Sequence, residues 1–190
     1  MGNMERRGPA SFYSGRELEI DVFGRPKFPR GYEEVLRQES QRGYLPFNRA
    51  MDVIREYYPF DPTNPPKEFA NDLRLEIIDK LGLTDEQADD LKFYSAIGTP
   101  LDTFHGVDAW LEFPDPNTSR PIFVTLDVTK QVGKLEEGHK ADVIVGDVPE
   151  PASNSYLGEV ERYADEVFDV FQRKLPPKRP IRPARSARAK

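Results

Sequence analysis

Two short stretches of this chain alternate between apolar and polar residues, and this alternation constrains the fold more than any other feature. In GVDAWLEF, residues 106–113, and in PIFVTLDVT, residues 121–129, every second side chain is apolar. A period of two is typical of a β-strand that buries one face. The connecting PDPNTSR is rich in turn-forming residues, so the two stretches predict an antiparallel β-hairpin.

Each predicted strand carries an aspartate, Asp108 in the first and Asp127 in the second. If Phe113 lies opposite Ile122, the same register places Asp108 directly opposite Asp127. Two like charges in such a pair are destabilising, and a shared Mg²⁺ or Mn²⁺ would offset them, because these cations bind carboxylates, water and phosphate oxygens. The alternative is a shifted register that leaves both aspartates at a solvated sheet edge. The sequence does not decide between the two.

Helices are predicted on both sides of the hairpin. Residues 31–42 and 47–58 have helical periodicity, and residues 65–82 repeat an apolar side chain at every fourth position. A capping box in TDEQ predicts another short helix, and an amphipathic helix is predicted over residues 156–175. KADVIV, residues 140–145, predicts a third strand. The fold class is therefore α/β, with a central mixed sheet flanked by helices.

The length and composition indicate one folded domain, because 190 residues of which 37% are apolar can bury a sizeable core. We divide the chain into an amino-terminal helical elaboration (1–65), an α/β core (66–175) and a basic tail (176–190). No apolar run approaches a membrane span, and the start lacks the apolar segment of a secretory signal. We expect a cytoplasmic protein.

The charge is distributed unevenly along the chain. The net charge is −6, but residues 173–190 contain eight Lys and Arg residues and no acid, which leaves −14 for the remainder. The tail has four prolines after residue 175 and no apolar period, so the sequence predicts a flexible arm. Such an arm suits the phosphate backbone of nucleic acid. It equally suits solubility or a contact with the acidic body, and charge alone does not separate these roles.

The residue types exclude several kinds of chemistry. The chain has no cysteine, which excludes disulfides and thiolate metal sites. Its two histidines, His105 and His139, leave little for a zinc site or a His-based triad. Any bound metal would therefore have mainly oxygen ligands. Asp102 and His105 in GTPLDTFHG fall near the same sheet end as the aspartates, and we interpret this stretch as a polar loop.

With a helix before the hairpin, a third strand and a helix after it, the chain resembles the PD-(D/E)XK nuclease-like superfamily, whose restriction-endonuclease-like core runs α-β-β-β-α-β. The resemblance covers about residues 66–175. It implies that Asp108 in GVDAW and Asp127 in LDVTK bind the metal, and that Glu76 on the preceding helix is a further acid of the site. The implied activity is hydrolysis of a phosphodiester in DNA or RNA with Mg²⁺ or Mn²⁺.

The sequence departs from the superfamily at the lysine that follows the second acid by two residues. Thr129 occupies this position, and Lys130 would point to the opposite face of the strand. Lys140, at the start of the third strand, is the expected substitute, and His139 beside it is a weaker acid–base candidate. Lys130, Lys134, Lys140 and the tail would hold the nucleic-acid backbone.

Two other functions fit the same residues. The first is a noncatalytic module on the same fold that binds nucleic acid or a protein, and Thr129 at the lysine position favours it. The second is a small regulatory module that binds proteins and in which the paired aspartates are incidental. A protein partner or a homodimer is left open by the sequence.

Overall fold

The computed structural model describes residues 15–129, 140–146 and 148–176. Within these ranges the strands are β1 Lys92–Ser95, β2 Ala109–Pro114, β3 Pro121–Val128 and β4 Val143–Val145. The helices are α1 Gly15–Phe23, α2 Arg30–Glu39, α3 Phe47–Tyr57, α4 Glu68–Leu81, α5 Asp85–Ala88, α6 Pro100–His105 and α7 Tyr156–Lys174. None of these helices combines the length and apolar character that a membrane span requires.

The four strands form one mixed sheet in the order β1-β2-β3-β4. β2 pairs antiparallel with both β1 and β3, whereas β4 runs parallel to β3. The predicted hairpin is confirmed, and of the two registers that the sequence left open it has the one with Phe113 opposite Ile122 and Ala109 opposite Leu126. The third predicted strand is confirmed as the three-residue β4. The protein is therefore a mixed α/β fold with helices flanking a four-stranded sheet.

The sheet separates two apolar cores, as the alternation along its strands requires. On one face Leu111, Val124 and Leu126 pack against α1, α4 and α7. On the other face Tyr94 and Trp110 pack against α2, α3 and α6. The Trp110 side chain is fully buried in this second core and is a packing residue.

The stretch GTPLDTFHG is not the polar loop that we expected, because its centre forms helix α6. The Thr99 hydroxyl accepts the backbone N–H of Leu101, Pro100 occupies the first turn, and Gly106 ends the helix at a left-handed φ of 63°. A capping threonine, an early proline and a terminal glycine are the ordinary signals of a helix. Leu101 buries this short helix against the second core.

A hydrogen bond links strand β1 to the residue that directly follows helix α1. The backbone N–H of Gly24 donates to the carbonyl of Ile20, and Gly24 itself adopts a left-handed φ of 75°. The Ser95 hydroxyl of β1 donates to the carbonyl oxygen of Gly24. Because Phe23 is buried in the first core, α1 lies against the sheet.

Candidate metal centre

Three carboxylates converge at the end of the hairpin where β2 begins. Glu19 comes from α1, Asp102 from the first turn of α6, and Asp108 from the position before β2. One oxygen from each side chain lies within 4.8 Å of the other two. This spacing would allow all three to ligate one hard cation, for which carboxylate oxygens are the preferred protein ligands.

Asp108 is held in place by the backbone around it. Its N–H donates to the carbonyl of Leu126 at 2.9 Å, and its carbonyl accepts the N–H of Ala96 at 2.7 Å. One carboxylate oxygen accepts the N–H of Val128 at 2.8 Å. The side chain thus takes the place of a backbone acceptor at the end of the β2–β3 ladder, with only 3% of the residue exposed.

The electrostatics of the cluster oppose ionisation of Asp108. Burial raises the pKa of Asp108 to about 8; the hydrogen bond from Val128 acts in the other direction, and the charges of Glu19, Asp127 and Asp102 add to the rise. Burial also raises the pKa of Glu19, with Asp102 adding to the rise and Arg16 opposing it. A bound cation would reverse this balance by stabilising the ionised carboxylates.

Asp127, the second predicted ligand, lies next to this cluster. It follows Leu126 on β3, directly beyond the last antiparallel pair of the hairpin, and is partly buried. Its charge acts on both Asp108 and Glu19. The structure therefore brings the two predicted aspartates together at one end of the hairpin.

Two arginines lie beside the acids. Arg16 Nη1 is 2.7 Å from Asp102 Oδ2 and 3.1 Å from Glu19 Oε2. The N–H of Gly98 donates to the same oxygen of Asp102, at 2.7 Å. Gly98 has a left-handed φ of 85°, and a Cβ there would lie 3.1 Å from Arg25 Nε and 3.2 Å from Arg16 Nη2. Glycine therefore leaves room for two guanidinium groups at the border of the cluster.

Glu76 and Lys140 are placed differently from the two aspartates. Glu76 is not a member of the cluster: it lies 3.5 Å from Lys80 of its own helix, and Lys80 also contacts Asp165 of α7 at 2.8 Å. The helical acid of the cluster is Glu19 instead. Lys140 is exposed, and its Nζ is 3.5 Å from the carbonyl oxygen of Phe104 at the end of α6.

The remaining predictions concern the neighbouring polar residues. Thr129 donates its backbone N–H to the carbonyl of Val145 and so links β3 to β4. The His105 ring contacts the rings of Tyr44 and Phe47, and its Nε2 is 2.8 Å from the carbonyl oxygen of Leu45. Lys130, Lys134, His139 and the basic residues from Lys178 onward lie outside the described residues, so the roles predicted for them stay predictions.

Sequence reasoning missed Glu19 and assigned no role to Asp102. Helical capping signals around α6 could have placed Asp102 in a helix, as they involve only neighbouring residues. No local signal could have linked Glu19 to the hairpin, because more than eighty residues separate it from Asp108. Its place in the cluster depends on the docking of α1.

No protein-family model, no curated protein and no solved structure matches this chain. The residues of the site are therefore the basis on which a function is inferred. Their main chemical property is an excess of buried and half-buried carboxylates around Asp108.

Proposed function

We propose that the protein hydrolyses phosphodiesters of nucleic acid with the help of Mg²⁺ or Mn²⁺. Asp108 and Asp127 are the predicted ligands of the cation, and Glu19 and Asp102 join them in this proposal. The observation that carries it is Asp108: a carboxylate with 3% exposure, fixed by the backbone and adjacent to three further acids. Such a group is costly to ionise without a cation.

The order of the elements supports the resemblance that suggested this activity. Helix α4 precedes three antiparallel strands, β1 to β3, and helix α7 closes the core. Asp108 directly precedes the second of these strands, and Asp127 lies near the end of the third. The arrangement departs from an α-β-β-β-α-β order in one respect: β4 precedes α7, and the described residues include no strand after α7.

In the proposed reaction, the oxygen of water forms a bond to phosphorus while the bond from phosphorus to the leaving oxygen breaks, and one proton of the water ends on the leaving oxygen. A divalent cation supplies Lewis acidity, lowers the pKa of a bound water and offsets charge on the phosphate. Asp108 contributes a ligand whose position is set by Val128, so little reorganisation is needed. Arg16 and Arg25 lie where their charge would offset that of the phosphate.

Two kinds of residue are candidates for the role of the lysine that Thr129 replaces. Lys140 is the substitute indicated by the resemblance, and it lies at the end of the helix that carries Asp102. Arg16 contacts two of the acids directly, whereas Lys140 contacts the carbonyl oxygen of Phe104, and Arg25 lies beside Arg16 at Gly98. We propose Lys140 as a residue that orients water or offsets charge, and the arginines as the phosphate contact.

The full-length protein tests this proposal on labelled single-stranded and double-stranded DNA and RNA, in millimolar Mg²⁺, Mn²⁺ or EDTA. Cleavage is expected only with a divalent cation, and Asp108→Ala and Asp127→Ala should each lower it by about 100-fold or more, because one carboxylate cannot replace two. Lys140→Ala should lower the rate while leaving the Mn²⁺-induced rise in melting temperature intact. Glu76→Gln is the matched control and should cleave like the parent.

A second candidate function is a noncatalytic module that binds nucleic acid or a protein through the same fold. Two observations favour it: Thr129 stands at the lysine position, and Arg16 already neutralises part of the charge on Glu19 and Asp102. The basic tail, a protein partner or a homodimer would then carry the interaction. A protein that cleaves none of the four substrates, and whose melting temperature ignores millimolar Mn²⁺, would favour this second function over the first.

A further inference from the structure

Five aromatic rings form a continuous row near the candidate metal centre. Neighbouring ring centroids are 5.7 Å apart for Phe104 and Tyr44, and 5.5 Å apart for Tyr44 and His105. The row continues from His105 to Phe47 at 5.5 Å and from Phe47 to Phe123 at 5.9 Å. We call these five residues the aromatic row.

Solvent reaches one end of the aromatic row. Tyr44 is 45% exposed and Phe104 is 40% exposed, although both side chains are large and apolar. The other large exposed apolar side chains of the described residues, Leu75 and Leu157, are aliphatic and lie on α4 and α7. Adjacent exposed rings, unlike single exposed aliphatic residues, form a patch of the kind that marks a binding surface.

The exposed rings are held by their backbone rather than left free to move. Gln41 and Tyr44 exchange two backbone hydrogen bonds across a tight turn. Gly43 in this turn has a left-handed φ of 88°, and a Cβ there would lie 3.6 Å from the Phe104 ring. Helix α6 is capped at both ends, and these caps order the backbone that carries Phe104. A surface ordered in advance loses less entropy when a ligand binds.

Cations lie at both ends of the aromatic row. At one end, Lys140 Nζ is 3.5 Å from the carbonyl oxygen of Phe104. At the other end, Lys174 Nζ is 5.5 Å from the centroid of the Phe123 ring, while it also contacts Asp142 at 2.8 Å. Rings flanked by positive charge complement the bases and phosphates of an unpaired strand.

We infer that the aromatic row binds unpaired bases of a single-stranded nucleic acid and leads its backbone to the metal centre. Helix α6 connects the two sites, because Asp102 lies in its first turn and Phe104 near its end. Single strands are favoured over duplexes since the faces of paired bases are already stacked on their neighbours. The inference rests on the proposed function in naming this ligand as its substrate, but the binding itself requires no cleavage.

The test measures the anisotropy of fluorescent oligonucleotides with the full-length protein in EDTA, so that binding is separated from hydrolysis. Single-stranded DNA or RNA should bind more tightly than the matching duplex. Tyr44→Ala and Phe104→Ala should each raise the Kd for the single strand by about tenfold, the effect of removing one stacked base. Tyr44→Phe and Phe104→Tyr keep a ring and should retain the affinity, as should the exposed-site control Leu157→Ala.

The outcomes separate this inference from the proposed function. If the ring variants lose affinity but no cation supports cleavage, the inference stands and the nuclease fails. If cleavage occurs and the alanine variants bind and cleave single strands like the parent, the inference fails and the nuclease stands. Equal losses for duplex and single strand would overturn the assignment to unpaired bases. Self-association in sedimentation that Phe104→Ala abolishes, without binding of any oligonucleotide, would assign the row to a dimer and overturn the inference.

Discussion

Asp108 and Glu112 are two buried carboxylates four residues apart, and the protein treats their charges in opposite ways. Glu112 Oε2 accepts hydrogen bonds from Arg55 Nε at 2.8 Å and from Trp110 Nε1 at 3.1 Å. Asp108 accepts one from the backbone N–H of Val128 and is adjacent to other acids. Glu112 belongs to a closed network in which a guanidinium and an indole N–H pair with its carboxylate. Asp108 belongs to a group of acids whose charges oppose its ionisation, which is the difference expected between a structural and a functional carboxylate.

The largest expected effect tests the closed network. Glu112→Gln should lower the free energy of unfolding by about 2–3 kcal/mol, because it removes the charge that pairs with the partly buried guanidinium of Arg55. Urea denaturation followed by circular dichroism measures the change. Asp52→Asn removes the other, 59% exposed partner of Arg55 and should cost less than about 0.5 kcal/mol. Equal losses in the two variants would contradict the distinction.

The second prediction is a gain in the free energy of unfolding rather than a loss. Asp108→Asn should raise the free energy of unfolding of the metal-free protein near pH 9, since the amide keeps an acceptor for Val128 and removes a buried like charge. The same urea experiment in EDTA measures it. A loss of stability as large as that of Glu112→Gln would show Asp108 to be structural.

The gain from Asp108→Asn should also depend on pH. Burial raises the folded-state pKa of Asp108 to about 8, so the native protein retains a proton that the unfolded chain releases near pH 4. The stability that this proton contributes is fully present below the pKa of Asp108 in the unfolded chain. It is lost as the pH rises through the pKa of Asp108 in the folded protein. Melting temperatures of parent and variant in EDTA should converge near pH 4 and diverge up to about pH 8. A constant difference across this window would contradict the raised pKa.

The smallest expected change in stability is that of Glu76→Gln, and it is compared with a second acid on a helix, Glu19. Glu76→Gln should change the free energy of unfolding by less than about 0.5 kcal/mol, because its contact with Lys80 is a surface pair within one helix. It should also leave the rise in melting temperature with Mn²⁺ unchanged. Glu19→Gln should reduce that rise, since it removes a proposed ligand. If Glu76→Gln reduced the rise and Glu19→Gln did not, the assignment of the helical acid would be wrong.

The parts of the fold that were predictable from the sequence are those whose signals are local. The hairpin followed from alternation in two adjacent stretches and from the turn between them, whereas its register was one of two alternatives that the sequence left open. β1 escaped prediction because it has only four residues, three of them buried, and so shows no alternation. The caps of α6 were visible in the sequence, but Asp102 and His105 made the stretch look polar.

The candidate site was predictable only where the hairpin itself supplies it. Asp108 and Asp127 stood out because acids are disfavoured in strands. Glu19 carries no such signal, since an acid on an amphipathic helix is ordinary. Its role depends on where α1 docks, and that is decided by the burial of Val22 and Phe23 rather than by any feature of the acid. Glu76 was inferred from a resemblance, and helix packing places it on a different surface.

The distance along the chain between Glu19 and the other acids has a kinetic consequence. The cluster includes Glu19 only when α1 has docked against α4 and β3, so we expect the repulsion between Glu19 and the other carboxylates to arise late in folding. A cation that recognises only the assembled cluster stabilises the native state without assisting the transition state. It should therefore slow unfolding and leave the folding rate nearly unchanged. The lifetime of the folded chain, rather than the speed of its formation, would then follow the concentration of divalent cation.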